Sequence, residues 1–193
     1  MITIIDYKAG NLASLQNALA SLGATFEVTN DPKKVAAAEK IIFPGQGAAG
    51  SGMRELERAG LGDILKNTKV PFLGICLGMQ LLFEASEEGD TKSLGLLPGT
   101  VKKLQTTLKI PQMGWNLVQF LRPSLLTKNI PTESYFYFAN SFVAPVGDFT
   151  QGISYYGGPF TAIVEKDNFF GTQFHPEKSG ESGLQLLANF LAL

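Results

Sequence analysis

Residues 72–80 read FLGICLGMQ. Residues 72–75 form an apolar run too short for a helix and suited to a buried strand. The run passes through Gly74, Cys76 and Gly78, and an apolar helical pattern follows over residues 77–85. A strand that stops at Gly-x-Cys-x-Gly and turns into a helix has the form of a nucleophile elbow. In such a turn a reactive side chain sits on strained backbone, and the glycines beside it make room. Cys76 is the only cysteine in 193 residues. A lone cysteine is ordinarily a small buried hydrophobe. The chain has 21 glycines, so chance places glycine on both sides of a given residue only about 1% of the time, against an average usage of ~7%. The elbow would present the thiol at the carboxyl end of the strand, where open α/β sheets bind ligands. It would also put the thiol at a helix N-terminus, whose dipole favours thiolate over thiol.

Upstream of this stretch, residues 3–5, 26–28 and 40–43 are three more short apolar strands. Between them, Leu12, Leu15, Leu19 and Leu22 line one helical face that Gly23 closes, and Asp31-Pro32 opens a short helix. A glycine-rich loop, GQGAAGSG, covers residues 45–52, and a helix is expected over residues 53–65. Strand and helix alternating with short connections means a parallel sheet covered on both faces. Downstream, residues 101–108, 117–121, 135–143, 153–156, 161–165 and 169–174 read as strands with few helices between them. The four aromatics at residues 135–138 suit a strand buried on both sides. A closing helix over residues 183–191 carries Leu184, Leu187 and Leu191 on one face. The expected fold is α/β: a mostly parallel central sheet flanked by helices, with a more antiparallel, β-rich second half, forming one domain over residues 1–193.

The formal net charge is -1, and Lys33-Lys34 and Lys102-Lys103 are too sparse for a basic stripe, so no nucleic-acid partner is expected. One cysteine and one histidine build neither a disulfide nor an ordinary zinc site. No metal or cofactor is expected. The N-terminal apolar run ends at Asp6 and is neither a secretion signal nor a span, so a cytoplasmic chain without membrane contact is expected.

A thiol nucleophile needs a base, and His175, within GTQFHPEKS, is the single candidate. Pro176 pushes His175 toward extended backbone. In extended backbone residues two apart face one side, so Glu177 can hold the imidazole in one tautomer. His175 and Cys76 each follow a strand, and would emerge at the same edge if those strands are neighbours. Attack on a carbonyl creates an oxyanion that backbone N–H groups must receive. Leu77 N–H is one natural donor. The second is expected from the loop Pro44-Gly45-Gln46-Gly47, at Gln46 or Gly47. That loop lacks the Gly-Lys-Ser/Thr ending of a phosphate-binding loop.

Cys76 in GICLGMQ, the later HPE and the PGQG loop together resemble the class I, triad-type glutamine amidotransferases, which are flavodoxin-like α/β proteins. Within that family DYKAGNL (residues 6–12), LLFEASEEG (81–89), PQMGWN (111–116), YFYFANSF (135–142) and GTQFHPEKSG (171–180) are similar to the glutaminase subunits of imidazole glycerol phosphate synthase. The resemblance implies a Cys76–His175–Glu177 triad and a glutamine pocket using Gln80, Glu88 and backbone at Ser141 and Phe142. Gln80 also lies one helical turn from Cys76. The partner it implies is a (β/α)8-barrel cyclase, with Asn11, Trp115 and Lys178 near the interface. Read alone, Trp115 is a core aromatic and Lys178 a solvated charge. Gln112 and Asn140 stand where many relatives have histidine, Gln46 where they have a branched apolar residue, and Phe142 where tyrosine is common. The competing readings are a glutaminase subunit of another amidotransferase, such as anthranilate synthase, and a non-catalytic regulatory subunit on the same fold.

Overall fold

The computed structural model describes residues 1–6 and 12–193, so Asn11 and most of the DYKAGNL stretch lie outside the described residues. In chain order the elements of the first half are β1 (Ile2–Ile5), α1 (Ala13–Ser21), β2 (Phe26–Thr29), α2 (Pro32–Ala36), β3 (Lys40–Phe43), α3 (Ala49–Arg58), α4 (Gly62–Asn67) and β4 (Phe72–Ile75). Then come the short α5 (Leu77–Gln80), β5 (Phe83–Ser86), β6 (Thr91–Lys92), β7 (Leu97–Lys103), β8 (Gln112–Phe120), β9 (Glu133–Asn140) and β10 (Phe142–Val143). The chain closes with β11 (Thr150–Tyr155), β12 (Pro159–Lys166), β13 (Phe169–Thr172), a 3₁₀ turn (Pro176–Lys178) and α6 (Gly180–Leu191).

Nine strands form the main sheet in the order β2-β1-β3-β4-β13-β12-β11-β8-β9. The first five run parallel and the last four pair antiparallel. The opening order, 2-1-3-4, is that of flavodoxin-like doubly wound sheets. Neighbouring residues on the inner strands enter opposite cores, because successive side chains point to opposite faces. Ile4, Ile42, Leu73 and Ile75 pack with α1 and α6, while Ile5, Ile41, Phe43 and Phe72 pack with α2, α3 and α4. Burying each such side chain contributes about 1.5–3 kcal/mol, which explains why four-residue strands suffice. Local chemistry agrees at α2, where the Asp31 carboxylate accepts from the Lys33 N–H at 2.9 Å and Pro32 starts the helix.

Several elements differ from the sequence expectation. The helix expected over residues 77–85 stops at Gln80, and the chain becomes β5. Leu81, Leu82 and Phe83 are all fully buried, and an apolar run without a wet face has no period to separate helix from strand. The helix expected over 53–65 is two helices, broken where Gly60 takes φ +66°. The glycine-rich loop is shorter than expected, because Ala49–Gly52 already belong to α3. The strand expected over 101–108 lies earlier, as β7, and the one expected over 135–143 divides at Ser141 into β9 and β10, which sit in different sheets. β10, β7, β5 and β6 make a separate small sheet that no sequence pattern announced. The aromatic run is buried on one side only: Tyr135 is 61% exposed, while Phe136 and Phe138 are enclosed and Phe136 stacks on Phe174 at 4.0 Å.

Candidate active site

The parallel strands β3, β4 and β13 deliver their carboxyl ends to one place. β4 and β13 are direct neighbours, with Ile75 opposite Thr172, so Cys76 and the segment leading to His175 leave the sheet side by side. Cys76 has φ 53° and ψ −109°, a strained conformation for a residue with a Cβ that costs on the order of 1–3 kcal/mol. The surroundings hold it there. Its N–H donates to the Thr172 carbonyl at 2.7 Å, and its carbonyl accepts from the Met79 and Gln80 N–H groups at 3.1 Å each. Two glycines permit the fold-back. A Cβ on Gly78 would lie 1.8 Å from the Phe43 carbonyl oxygen, and one on Gly45 would lie 2.4 Å from the Gly78 nitrogen. The helix behind the thiol is only four residues long, so its dipole is weaker than the longer expected helix would supply.

His175 is 3% exposed and sits just before the 3₁₀ turn. Its N–H donates to the Tyr137 carbonyl at 2.9 Å, and its carbonyl accepts the Ser179 hydroxyl at 2.6 Å. Ser179 Oγ in turn accepts the Tyr137 N–H at 2.9 Å, so the histidine segment is clamped against β9. The ring Nδ1 lies 2.9 Å from Glu177 Oε1. Burial pulls the imidazole pKa down. Hydrogen bonds to Cys76 and Glu177, together with the negative charge of both, outweigh burial and push it up to about 10. Glu177 Oε2 is buried without a hydrogen-bond partner among the described residues, so Oε1 carries the polar contact with the ring.

A cavity of about 370 Å³ opens over the thiol. Gly45, Gln46, Gly47, Leu77, Gln80, Glu88, Ser141, Phe142, His175 and Lys178 all line it, so most residues singled out from sequence converge here. Gly47 has φ +114°, a conformation open to glycine. Gln80 is 4% exposed, and its Nε2 donates to the Phe142 carbonyl and to Gln173 Oε1, each at 3.0 Å. Glu88 lies on the turn between β5 and β6, and its Oε2 accepts the Ala49 N–H at 2.7 Å. It thereby caps α3, whose own N-cap residue, Ala48, supplies no side-chain bond. Trp115 is 56% exposed on β8 and meets Tyr137 edge to face, so it is not a core aromatic. Its ring lies 3.8 Å from a Cβ built on Gly180, two residues past Lys178 at the cavity wall.

Sequence reasoning did not single out Gln173, whose Nε2 lies 3.7 Å from Cys76 Sγ. The signal was a polar residue at the inward-facing end of an apolar strand. Ser179 and Pro111, which also frame the site, carried no signal beyond their place in quoted motifs. Among the described residues, no group of three or more His, Cys, Asp or Glu side chains is placed to hold a metal ion, and no helix is long and apolar enough to cross a membrane.

The model of the glutamine amidotransferase class-I family matches residues 3–193. An imidazole glycerol phosphate synthase subunit HisH 2 from Legionella pneumophila (strain Paris) is 45% identical, over 100% of this chain and 98% of the relative. The subunit HisH of Moorella thermoacetica is 47% identical, over 98% of this chain and 93% of the relative. Among solved structures, a glutamine amidotransferase superposes with TM-score 0.77 at 16% identity, covering 100% of this chain and 98% of that one. The glutaminase domain of Trypanosoma brucei CTPS superposes with TM-score 0.70 at 15% identity, covering 99% of this chain and 93% of that one. At those identities the two structures speak for the fold alone. With a family model spanning nearly every residue and full-length relatives near half identity, the chain belongs to the class I glutamine amidotransferases, among the HisH subunits of imidazole glycerol phosphate synthase.

Proposed function

We propose that this chain hydrolyses glutamine to glutamate and ammonia through a thioester on Cys76, with His175 and Glu177 completing the triad. The observation that carries this reading is the His175 ring held by Glu177 Oε1 at 2.9 Å, with His175 and Cys76 both on the wall of the cavity and both Cys76 and Glu177 raising the imidazole pKa. His175, whose pKa is raised to about 10, holds its proton between Glu177 and Cys76. When Cys76 attacks the side-chain amide carbon, the carbon–nitrogen bond breaks and His175 gives that proton to the departing ammonia. Acylation then removes the thiolate, one of the two partners that raised the imidazole pKa. The ring becomes free to act as base in the next step, in which it takes a proton from the water that attacks the thioester. Hydrolysis returns glutamate and the thiolate. Leu77 N–H, with an N–H from Gln46 or Gly47, receives the oxyanion in both steps. Gln80, Glu88, Ser141 and Phe142 hold the glutamine.

The whole chain acts as one domain in the cytoplasm, without cofactor, and passes its ammonia to a (β/α)8-barrel cyclase making imidazole glycerol phosphate in histidine biosynthesis. Trp115 and Lys178, beside the cavity, face that partner; Asn11, outside the described residues, is assigned to the same interface by resemblance alone. The HisH relatives support this assignment over another amidotransferase. The complete Cys-His-Glu line weighs against a non-catalytic copy. The test is Cys76→Ala in the chain mixed with its cyclase, assayed for glutamate and for imidazole glycerol phosphate. Glutamine-dependent synthesis is expected to vanish while synthesis from added ammonium stays near normal. Equal loss of both in a correctly assembled complex would remove Cys76 from this role.

A further inference from the structure

Gln173 follows β13 directly and is fully buried, with its backbone N–H bound to the Ala162 carbonyl at 2.9 Å. Its side chain bridges two residues of the site. One end lies 3.0 Å from Gln80 Nε2 and the other 3.7 Å from Cys76 Sγ. One fixed acceptor sets the polarity of this bridge. The Phe142 carbonyl belongs to the backbone and can only accept. It receives the Gln80 side chain at 3.0 Å and the Asn140 Nδ2 at 3.0 Å. Gln80 must therefore turn its NH₂ end toward that carbonyl. The same NH₂ end faces Gln173, so Gln173 must answer with its oxygen. The remaining end of the Gln173 amide, its NH₂, is then the end aimed at sulfur. A backbone carbonyl in the small sheet thus fixes, through two side-chain amides, an N–H donor on the nucleophile.

We propose that Gln173 is a positioning residue that stabilises Cys76 as a thiolate and holds its sulfur toward the cavity. The inference rests on the reading of Cys76 as nucleophile. An N–H aimed at sulfur favours the anion, because a thiolate is a far better acceptor than a thiol, and bonds to charged groups are the stronger ones. The other ionisable groups around the sulfur are His175 with Glu177 behind it, and Glu88 and Lys178 on the cavity wall. Gln173 reaches the sulfur from β13 as a neutral donor, and its contribution is separable from theirs.

The experiment is alkylation of the full chain by iodoacetamide from pH 5 to pH 10, with wild type compared with Gln173→Met, which keeps the bulk and removes the donor. The alkylation midpoint is expected to rise by about one pH unit, a tenfold change in the thiolate ratio. In the complex with the cyclase, kcat for glutamine is expected to fall with a smaller change in KM. An unmoved midpoint in a folded Gln173→Met chain overturns the proposal. Because Gln173 is buried, a second measurement uses the unsubstituted protein. The Gln173 side-chain amide proton, followed by NMR, is expected to move downfield as Cys76 ionises and to lose that response in Cys76→Ala. A resonance that ignores Cys76 also overturns it. Failure of the underlying reading looks different: Cys76→Ala would keep glutamine turnover, whatever Gln173 does.

Discussion

The parallel half of the main sheet and the small sheet of β5, β6, β7 and β10 meet at the same cavity, yet they are built differently. In the parallel half, β1, β3 and β4 are four-residue strands made mostly of Ile, Leu and Phe and buried on both faces, ended by Asp6, Pro44 and Cys76. Their residue types, lengths and terminators agree with one another, and so the strands could be read in advance, while the pairing of β4 with β13 that puts Cys76 and His175 at one edge came from the structure. In the small sheet, β5 is entered from α5 through Leu81, Leu82 and Phe83 with no break in pattern, and it pairs with the two-residue β6 and with β7, which in turn carries the two-residue β10. Nothing local specifies such a sheet. It exists because Leu81, Leu82, Leu97 and Val101 share one core with Phe43 and Leu77, and that core is a tertiary fact. The chemistry followed the same division. Cys76 and His175 sit at the ends of legible strands, and the triad proposed for them with Glu177 was an expectation of the sequence and its family resemblance. Glu88 and Gln173 act through groups distant in sequence, Ala49 and Gln80, and only the fold brings those together.

The sharpest break of this contrast is at Gly78. An added Cβ would meet the Phe43 carbonyl at 1.8 Å, and both sides of that contact are backbone at the mouths of β3 and β4. Gly78→Ala is expected to cost more than about 3 kcal/mol, the upper end of ordinary overpacking, and to abolish activity. Urea unfolding measures the first and glutamate release the second. A variant of near-normal stability would mean that the elbow can move, and that the parallel half is less rigid than its burial implies.

At the seam, His175→Ala is expected to lower glutamine turnover in the complex by about 10²–10⁴-fold, the usual range for general acid–base catalysis. Glu177→Gln is expected to cost less, because it removes an orienting and stabilising partner and leaves the ring that moves the proton. The reverse order would mean that the carboxylate, not the imidazole, is the group that matters chemically.

The same histidine makes stability depend on pH. Its folded pKa, about 10, lies above the ordinary 6.5. The folded chain therefore holds the proton more tightly than the unfolded chain does. The contribution is complete below about pH 6.5 and is lost as pH rises through about 10. Unfolding free energies at pH 6, 8 and 10 should show the gap between wild type and His175→Gln closing as pH rises. A gap that widens would place a neutral imidazole in the fold.

The smallest expected effect belongs to the small sheet. Glu88 Oε2 accepts the Ala49 N–H, at the start of a ten-residue helix whose N-cap is an alanine without a side-chain acceptor. Glu88 is itself held in place, since its N–H donates to Ser86 Oγ at 3.2 Å and its carbonyl accepts Thr91 Oγ1 at 2.7 Å. The turn between β5 and β6 thus caps α3 from a distance, which sequence spacing could not announce. A lost cap typically costs about 1 kcal/mol, so Glu88→Ala is expected to lower stability by that amount. Glu88→Gln keeps an acceptor oxygen and should restore much of it. If Glu88 also touches the substrate, both variants raise KM for glutamine, and the amide fails to rescue it even where it rescues stability. Urea unfolding and steady-state glutamate production on the same two variants separate the two roles. Equal rescue of stability and KM in Glu88→Gln would make Glu88 a cap alone, and the small sheet a support for the site rather than part of its binding surface.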